Sequence, residues 1–232
     1  MKIHPAIQGT PEWIQARLGI PTASCFSEII TPKEWKASKS QDAYRARLVA
    51  EWFTGQPIDD HQSQYMQRGT ELEAEAVADY EFASGYDTVQ VGLCLRDDEK
   101  VGASPDRLVG DDGLLEIKCP ALHTHVGYLL KPSTLVETYW CQLQGELYIT
   151  GRRWADVMSY NPILPRVKLR VTRDDGFILK LDDEINKFLE RLESAKGQLN
   201  HLRQEQRPKE TVERDPDPFA LNEPTQTMEF KP

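Results

Sequence analysis

Residues 101–120, VGASPDRLVGDDGLLEIKCP, contain two β-rich runs joined by the turn sequence GDDG at 110–113. Turn residues between two such runs predict a β-hairpin. Residues i and i+2 of a strand share one face, so Glu116 and Lys118 should point the same way while Ile117 points into the core. The second strand of this hairpin therefore presents an acid and an ammonium group together.

Asp106, on the first strand, joins that pair only in one register of the hairpin. A two-residue loop at 111–112 would turn Asp106 to the opposite face. A three-residue loop at 111–113 ends on glycine, which suits a left-handed position, and places Asp106 across from Lys118 and diagonal to Glu116. We favour the three-residue loop. The resulting patch is either a salt bridge on a solvated face or a catalytic centre.

A predicted helix from residue 69 to 85 carries an acid where an apolar residue is expected. Glu73, Ala76, Val77 and Tyr80 recur at the spacing of a core-facing stripe. Burying a carboxylate alone is costly, so Glu73 should be paired, protonated or bound to a metal.

The charge of the chain is unevenly distributed. The 232 residues carry a formal net charge of −9, and 39% are hydrophobic, enough to fill one domain core. Residues 51–130 alone have a net charge of −11. Such a segment is usually solvated surface; the alternative is that several of its carboxylates share a divalent cation.

The cysteines and the apolar runs indicate the compartment. Four cysteines lie far apart with no CxxC pair, which argues against a disulfide scaffold, a zinc ribbon or an iron–sulfur cluster and favours reduced thiols in a cytosol. The N-terminal segment lacks the apolar core of a signal peptide, and no run reaches the roughly 18 apolar residues of a membrane span. We therefore expect a soluble, cytoplasmic protein.

The order of elements predicts the fold class. Helices are expected at about 10–19, 22–31, 41–55, 69–85, 121–131, 135–150 and 174–203, and strands at about 88–95, 100–109, 114–119, 154–160 and 167–172. This order predicts an α/β fold with a central mixed β-sheet flanked by helices. A single domain is expected over residues 1–204, followed by a Pro-rich, acidic C-terminal arm over 205–232.

Several motifs together resemble a known nuclease family. Pro105-Asp106 followed by Glu116-Ile117-Lys118 is the pattern of the PD-(D/E)xK nucleases. Further runs resemble the lambda-exonuclease-like (YqaJ-type) phage recombination exonucleases and occur in that family's order, over about residues 10–160. They are WIQARLGIPTAS (13–24), RGTELEAEA (68–76), ASPDRL (103–108), LEIKCP (115–120) and YWCQLQ (139–144).

The resemblance implies a restriction-endonuclease-like core and a two-metal centre with Mg²⁺, for which Mn²⁺ should substitute. Two such ions can activate a water molecule and stabilise the departing oxygen of a phosphodiester, and hard oxygen ligands suit them. The resemblance implies that Asp106 is the ligand that bridges both ions. Glu116 and the main-chain carbonyl of Ile117 would be further ligands, and Glu73 would be the helical acidic ligand. Lys118 would hold the attacking water, and Gln142 would lie beside the scissile phosphate.

The resemblance also implies a pocket for the 5′-phosphate of a DNA end. Arg17 would supply a guanidinium, and Thr22 and Ser24 would supply hydroxyls at the start of a helix, where anions are favoured. Ser104 would add a further hydroxyl. Thr22 and Ser24 could instead be plain helix caps. Met66, in a predicted loop, matches an apolar residue that wedges between the terminal base pairs.

By resemblance, the activity is 5′→3′ exonucleolysis of one strand of double-stranded DNA. The products would be 5′-mononucleotides and a 3′ single-stranded tail. The family forms homotrimeric rings threaded by DNA, works with a single-strand annealing protein, and acts in the cytoplasm of a bacterial host from phage or prophage genes. A restriction-type DNA endonuclease and a non-catalytic DNA-end-binding module are the alternatives.

Two weaker signals remain. His123 and His125 form an HxH pair without an evident further ligand, and we expect them to be solvated. Arg166, Lys168 and Arg170 alternate with apolar residues and should share one face of a strand. That face would line a DNA channel, form a subunit contact or be a solvated edge.

Overall fold

The structure, a computed structural model, describes residues 1–58 and 64–205, with side chains for 1–58 and 72–202. The helices are α1 (Pro11–Arg17), a 3-10 helix (Ala23–Glu28), α2 (Gln41–Thr54), α3 (Gln64–Ser84), α4 (Leu122–Leu130), α5 (Ser133–Thr150) and α6 (Asp175–Glu205). The strands are β1 (Lys2–Ile3), β2 (Thr88–Val89), β3 (Cys94–Leu95), β4 (Gly102–Ala103), β5 (Arg107–Val109), β6 (Gly113–Lys118), β7 (Trp154–Ser159) and β8 (Val167–Thr172).

A five-stranded mixed sheet, in the order β2-β5-β6-β7-β8, forms the centre of the fold. Strands β6 and β7 are parallel and the other neighbours are antiparallel. Parallel neighbours need a long crossover, which α4 and α5 provide here. The predicted α/β class with a central mixed sheet is confirmed.

The central strand β6 is buried from Gly113 to Ile117. Such a strand carries a near-continuous apolar run, as the LLEI sequence does apart from its acid. The predicted strands at 88–95 and 100–109 are each divided into two short strands. Of these pieces, β3 and β4 form a separate three-stranded sheet with β1, in the order β1-β3-β4.

The predicted hairpin register was wrong by two residues. Val109 pairs with Gly113, so the three-residue loop is 110–112, and Asp106 lies in line with Glu116 rather than with Lys118. Gly110 takes the left-handed conformation, with φ of +49°. Gly113 is required in the strand, because a Cβ there would collide with the ring of Trp154. Asp106 nevertheless stays on the face of Glu116, because the shift is an even number.

Contacts along the chain divide it into two compact units, Met1–Gly197 and Gln198–Pro232. In the second unit, residues 198–205 continue the helical conformation. The expected arm from 205 lies, apart from its first residue, outside the described residues. Within the described ranges, no helix combines the length and the apolar character that a membrane span needs.

Candidate active site

A cavity of about 370 Å³ opens where β6, α5 and the N-terminal segment meet. Ten of the eleven predicted site residues line it: Arg17, Thr22, Ser24, Glu73, Ser104, Asp106, Glu116, Ile117, Lys118 and Gln142. The eleventh, Met66, lies in α3 rather than in the predicted loop, and its side chain is outside the described residues. The cavity is also lined by Gln8, Trp13, Cys119 and Glu146, which the sequence analysis did not single out as site residues.

Acidic groups and one ammonium form the inner end of the cavity. Glu116 is only 3% exposed, and its Oε1 accepts a hydrogen bond from Lys118 Nζ at 2.6 Å. Asp106 Oδ2 accepts from the backbone N–H of Ile117 at 2.6 Å. This bond joins the residue before β5 to the end of β6 and fixes the Asp106 carboxylate beside that strand. Lys118 also lies over the ring of Tyr139, 4.6 Å from its centroid.

These groups shift one another's pKa values. Burial and the nearby charge of Glu116 raise the pKa of Asp106 well above its usual range. Burial alone would lower the pKa of Lys118, but the Glu116 and Asp106 carboxylates offset it and raise the pKa instead. The site therefore favours a cation beside its carboxylates, and in the structure Lys118 is that cation.

Gln142 and Glu146 approach the same carboxylate from α5. Gln142 Nε2 donates to Glu116 Oε1 at 2.6 Å and to Glu146 Oε1 at 2.9 Å. Glu146 is 1% exposed, and burial together with the charge of Glu116 raises its pKa well above the usual range. Its position four residues after Gln142, on the same helical face, is the signal that could have identified it.

The acid on the helical stripe has a cationic partner. Arg107 Nη1 donates to Glu73 Oε1 at 2.7 Å and to the backbone carbonyl of Asp106 at 2.6 Å. Of the three possibilities that the sequence left open for Glu73, the structure shows pairing. The sequence analysis missed Arg107, although it directly follows Asp106 in the motif.

The chemistry of this end suits a hard divalent cation. Oε2 of Glu116 and Oε2 of Glu146 are both buried without a hydrogen-bond partner, an unusual condition for carboxylate oxygens. Among the residues that the structure describes, no group of three or more Asp, Glu, His or Cys side chains is arranged to hold a metal ion. Arg107 and Lys118 instead hold one oxygen each of Glu73 and Glu116. Free oxygens on buried acids fit a cation, and the two ion pairs balance charge around them.

The outer end of the cavity is built around Arg17, the last residue of α1. Its guanidinium stacks on the ring of Trp13 at 4.1 Å and donates to the hydroxyls of Thr22 at 3.2 Å and Ser24 at 3.5 Å. Trp13 Nε1 in turn donates to Ser104 Oγ at 3.1 Å. Burial lowers the pKa of Arg17, as expected for a guanidinium with little water around it.

The two hydroxyls are not helix caps. Thr22 precedes a 3-10 helix and makes no side-chain capping bond. Its hydroxyl instead accepts from Arg17, and its backbone N–H donates to Tyr44 Oη at 3.1 Å. The predicted cluster of one guanidinium and three hydroxyls is therefore assembled in one place.

The prediction of a solvated histidine pair was wrong for His125. This residue is fully buried, bonded through Nδ1 to Ser159 Oγ at 2.7 Å and through Nε2 to the carbonyl of Pro165 at 3.0 Å. It ties α4 to β7 because the i, i+3 and i+4 positions of that helix face the sheet. His123 is exposed, as predicted.

Lys168 and Arg170 of β8, and Arg166 directly before it, form ion pairs. Arg170 is bonded through Nε and Nη2 to the buried carboxylate of Asp156, each at 2.8 Å, and Lys168 Nζ lies 3.9 Å from the same group. Arg166 pairs with Asp79 of α3 at 2.9 Å. In the structure this face of β8 binds protein carboxylates, and the sequence had not indicated these partners.

Comparisons with known proteins identify the family of the chain. Residues 12–153, more than half of the chain, match the family of YqaJ-like viral recombinase domains. The chain belongs to that family. The chain is also similar to the crystal structure of an alkaline exonuclease (LHK-Exo) from Laribacter hongkongensis, with 37% identity, a TM-score of 0.76, and 84% of this chain and 99% of that one covered.

Two further solved structures are similar to this chain. LHK-Exo in complex with dAMP matches with 38% identity and a TM-score of 0.75, over 84% of this chain and 99% of that one. A phage-related exonuclease from Haemophilus somnus 129PT shares the fold, with 13% identity, a TM-score of 0.66, and 78% and 96% of the two chains covered. A comparison with curated protein sequences found no match.

Proposed function

We propose that this YqaJ-family protein is a metal-dependent 5′→3′ exonuclease that degrades one strand of double-stranded DNA from its end. The observation that carries the proposal is the shared cavity. An acidic end built on Asp106 and Glu116 lies in the same cavity as an end built on Arg17 and hydroxyls. A phosphate group held at the second end would bring a phosphodiester of the same strand to the first.

The similarity to an alkaline exonuclease over almost the whole length of that protein supports this proposal. So does the existence of that enzyme's complex with dAMP, a deoxynucleoside monophosphate. A restriction-type endonuclease would share the hairpin but would have no use for the Arg17 pocket. A module that only binds DNA ends would not need buried acids close together, which is a costly arrangement.

Asp106, Glu116, the main-chain carbonyl of Ile117 and Glu73 would hold two Mg²⁺ ions, with Mn²⁺ as a substitute. When bound, such ions activate water and neutralise the charge that develops on the phosphate. The chain's own groups do the rest. Lys118 Nζ, fixed by Glu116 Oε1 and by Gln142 Oε1 at 3.3 Å, would hold the attacking water, and Gln142 would contact the scissile phosphate.

Several finer features belong to the same proposal. We propose a homotrimeric ring around the DNA, in which enclosure keeps an acidic protein on an anionic substrate. The product would be 5′-mononucleotides and a 3′ tail, and a single-strand annealing protein would bind that tail. Met66 would wedge between the terminal base pairs. The enzyme would act in the cytoplasm of a bacterial host, from a phage or prophage gene, with residues 1–204 as its domain and 205–232 as an extended arm.

The experiment compares linear duplex DNA, labelled at either end, with closed circular DNA, each with and without Mg²⁺. We expect Mg²⁺-dependent release of the 5′ label as mononucleotide from linear DNA only. Cleavage of the circle would support the endonuclease instead. Binding of DNA ends without any cleavage would leave only the end-binding module.

A further inference from the structure

Glu146 is a buried acid for which the proposed mechanism gives no step. Glu146 lies in the middle of α5, 1% exposed, among the buried neighbours Leu143, Gly145 and Leu147. Its side chain makes one hydrogen bond within the described residues, from Gln142 Nε2 to Oε1 at 2.9 Å. Burying a carboxylate in this way is unfavourable, and a leucine would pack at such a position without that cost.

The Gln142 amide has two N–H donors and a carbonyl acceptor. Its donors are directed to Glu116 Oε1 and Glu146 Oε1, and its oxygen accepts from Lys118 Nζ at 3.3 Å. A flipped amide would place its oxygen against two carboxylates and its N–H groups against an ammonium. With both donors engaged the plane of the amide is fixed, whereas loss of the Glu146 bond would leave it held only by the Glu116 bond and the longer bond from Lys118 at 3.3 Å.

The backbone that carries these residues cannot adjust easily. Gly145 packs so closely on the ring of Phe26 that a Cβ there would collide with it. Close packing on Phe26 therefore fixes the position of helix α5, and with it Gln142 and Glu146 in the wall of the cavity.

We propose that Glu146 is a positioning residue, which orients the Gln142 amide so that its other N–H donates to Glu116 Oε1 and its oxygen accepts from Lys118 Nζ. This inference rests on the exonuclease proposed above. It assigns Glu146 no contact with substrate: its effect passes through the hydrogen bond to Gln142.

The experiment uses the full chain with Glu146→Leu, which removes the acceptor, and Glu146→Gln, which keeps it. Glu137→Gln, at an exposed position of α5, is the control for loss of an acid from the same helix. We expect Glu146→Leu to lower kcat on 5′-phosphorylated duplex about tenfold, the effect of one net hydrogen bond, with little change in KM. Glu146→Gln should stay within about threefold of the wild type, because its amide oxygen can accept the same bond.

A second readout does not require turnover. In protein labelled with ¹⁵N-glutamine, the side-chain amide signals of Gln142, assigned by their loss in Gln142→Leu, should move in Glu146→Leu and return close to the wild-type position in Glu146→Gln. In a Gln142→Leu background, Glu146→Leu should have no additional effect on kcat. If Glu146→Leu does not fold, Glu146→Asp replaces it with the same expectation, because it withdraws the acceptor by one methylene.

Equal losses of kcat in Glu146→Leu and Glu146→Gln would overturn the inference, because they would indicate a role for the charge itself. Unchanged Gln142 amide signals in Glu146→Leu would also overturn it. If the wild-type protein does not digest DNA, the proposed function fails, while the amide signals still decide whether Glu146 orients Gln142.

Discussion

Arg17 offers the sharpest test of how the protein would recognise a DNA end. A terminal phosphate carries about one more negative charge near neutral pH than an internal diester, since its second pKa is about 6. The Arg17 guanidinium is stacked on Trp13, partly buried, and held by the Thr22 and Ser24 hydroxyls. A preorganised cation of this kind gives up little hydration and little side-chain entropy when it binds the phosphate.

Loss of one charge-assisted hydrogen bond costs about 1.5–3 kcal/mol, a factor of about ten to a hundred in rate. We therefore expect Arg17→Ala to slow digestion of 5′-phosphorylated duplex by that factor. Digestion of 5′-hydroxyl duplex should change much less, because that end lacks the dianionic group. Arg17→Lys should lie between Arg17→Ala and the wild type, since it keeps the charge but not the planar fork.

The assay is the ratio of initial rates on 5′-phosphate and 5′-hydroxyl ends for each variant. Arg153→Ala, at a side chain 79% exposed, is the control for loss of one positive charge. Thermal unfolding of Arg17→Ala identifies any general loss of structure caused by removal of the stack on Trp13. A wild-type enzyme without a preference, or an Arg17→Ala variant that keeps the full preference, would refute the assignment.

Three substitutions and one chemical modification test the rest of the structure. Asp106→Asn, like chelation by EDTA, should reduce the rate of cleavage about a thousandfold, which corresponds to several kcal/mol of charge stabilisation. Binding of DNA ends should stay intact. Substantial Mg²⁺-dependent cleavage by this variant would contradict the role of Asp106. Glu73→Gln should raise the Mg²⁺ concentration for half-maximal activity by about tenfold, and an unchanged requirement would return Glu73 to a purely structural role. Gly145→Ala should destabilise the fold by about 1–3 kcal/mol in urea unfolding, because the new methyl collides with Phe26, so equal stability would show that the core can yield. Burial raises the pKa of Cys141 to about 12, so its thiol stays protonated even at pH 10, and mass spectrometry should find it alkylated only after unfolding.

The sequence predicted most of the fold because its signals there are local. The apolar strand around Glu116, the capped start of α1 at Thr10 and the long stripe of α6 each depend on residues that are near one another in the chain. The register of the hairpin was missed because two glycines flank the turn. Which of the two glycines takes the left-handed turn position depends on Trp154, a residue about forty positions away, whose ring covers Gly113.

In the candidate site, too, local motifs were predicted and contacts between distant residues were missed. Ten of the eleven site residues that the sequence singled out converge on one cavity, since a strand and a helix that pack together bring their motifs together. Arg107 was missed because its partner Glu73 lies 34 residues away, which the spacing of residues does not show. Glu146 has a spacing that places it beside Gln142, but the sequence does not show that Gln142 reaches Glu116 across the fold. His125 was assigned to solvent for the same reason, as its partners lie 34 and 40 residues further along the chain.

The contact between Gly145 and Phe26 has a consequence for the size of each step along DNA. Phe26 belongs to the 3-10 helix that carries Ser24, and Gly145 lies between Gln142 and Glu146 on α5. The contact thus connects the two ends of the cavity through the core. Tight packing there sets the distance between the Arg17 end and the acidic end. For the exonuclease proposed here, this packing would set the distance between the bound 5′-phosphate and the phosphodiester that is cut. Substitutions at either end of the cavity should therefore alter the rate of digestion and not the length of the released fragment.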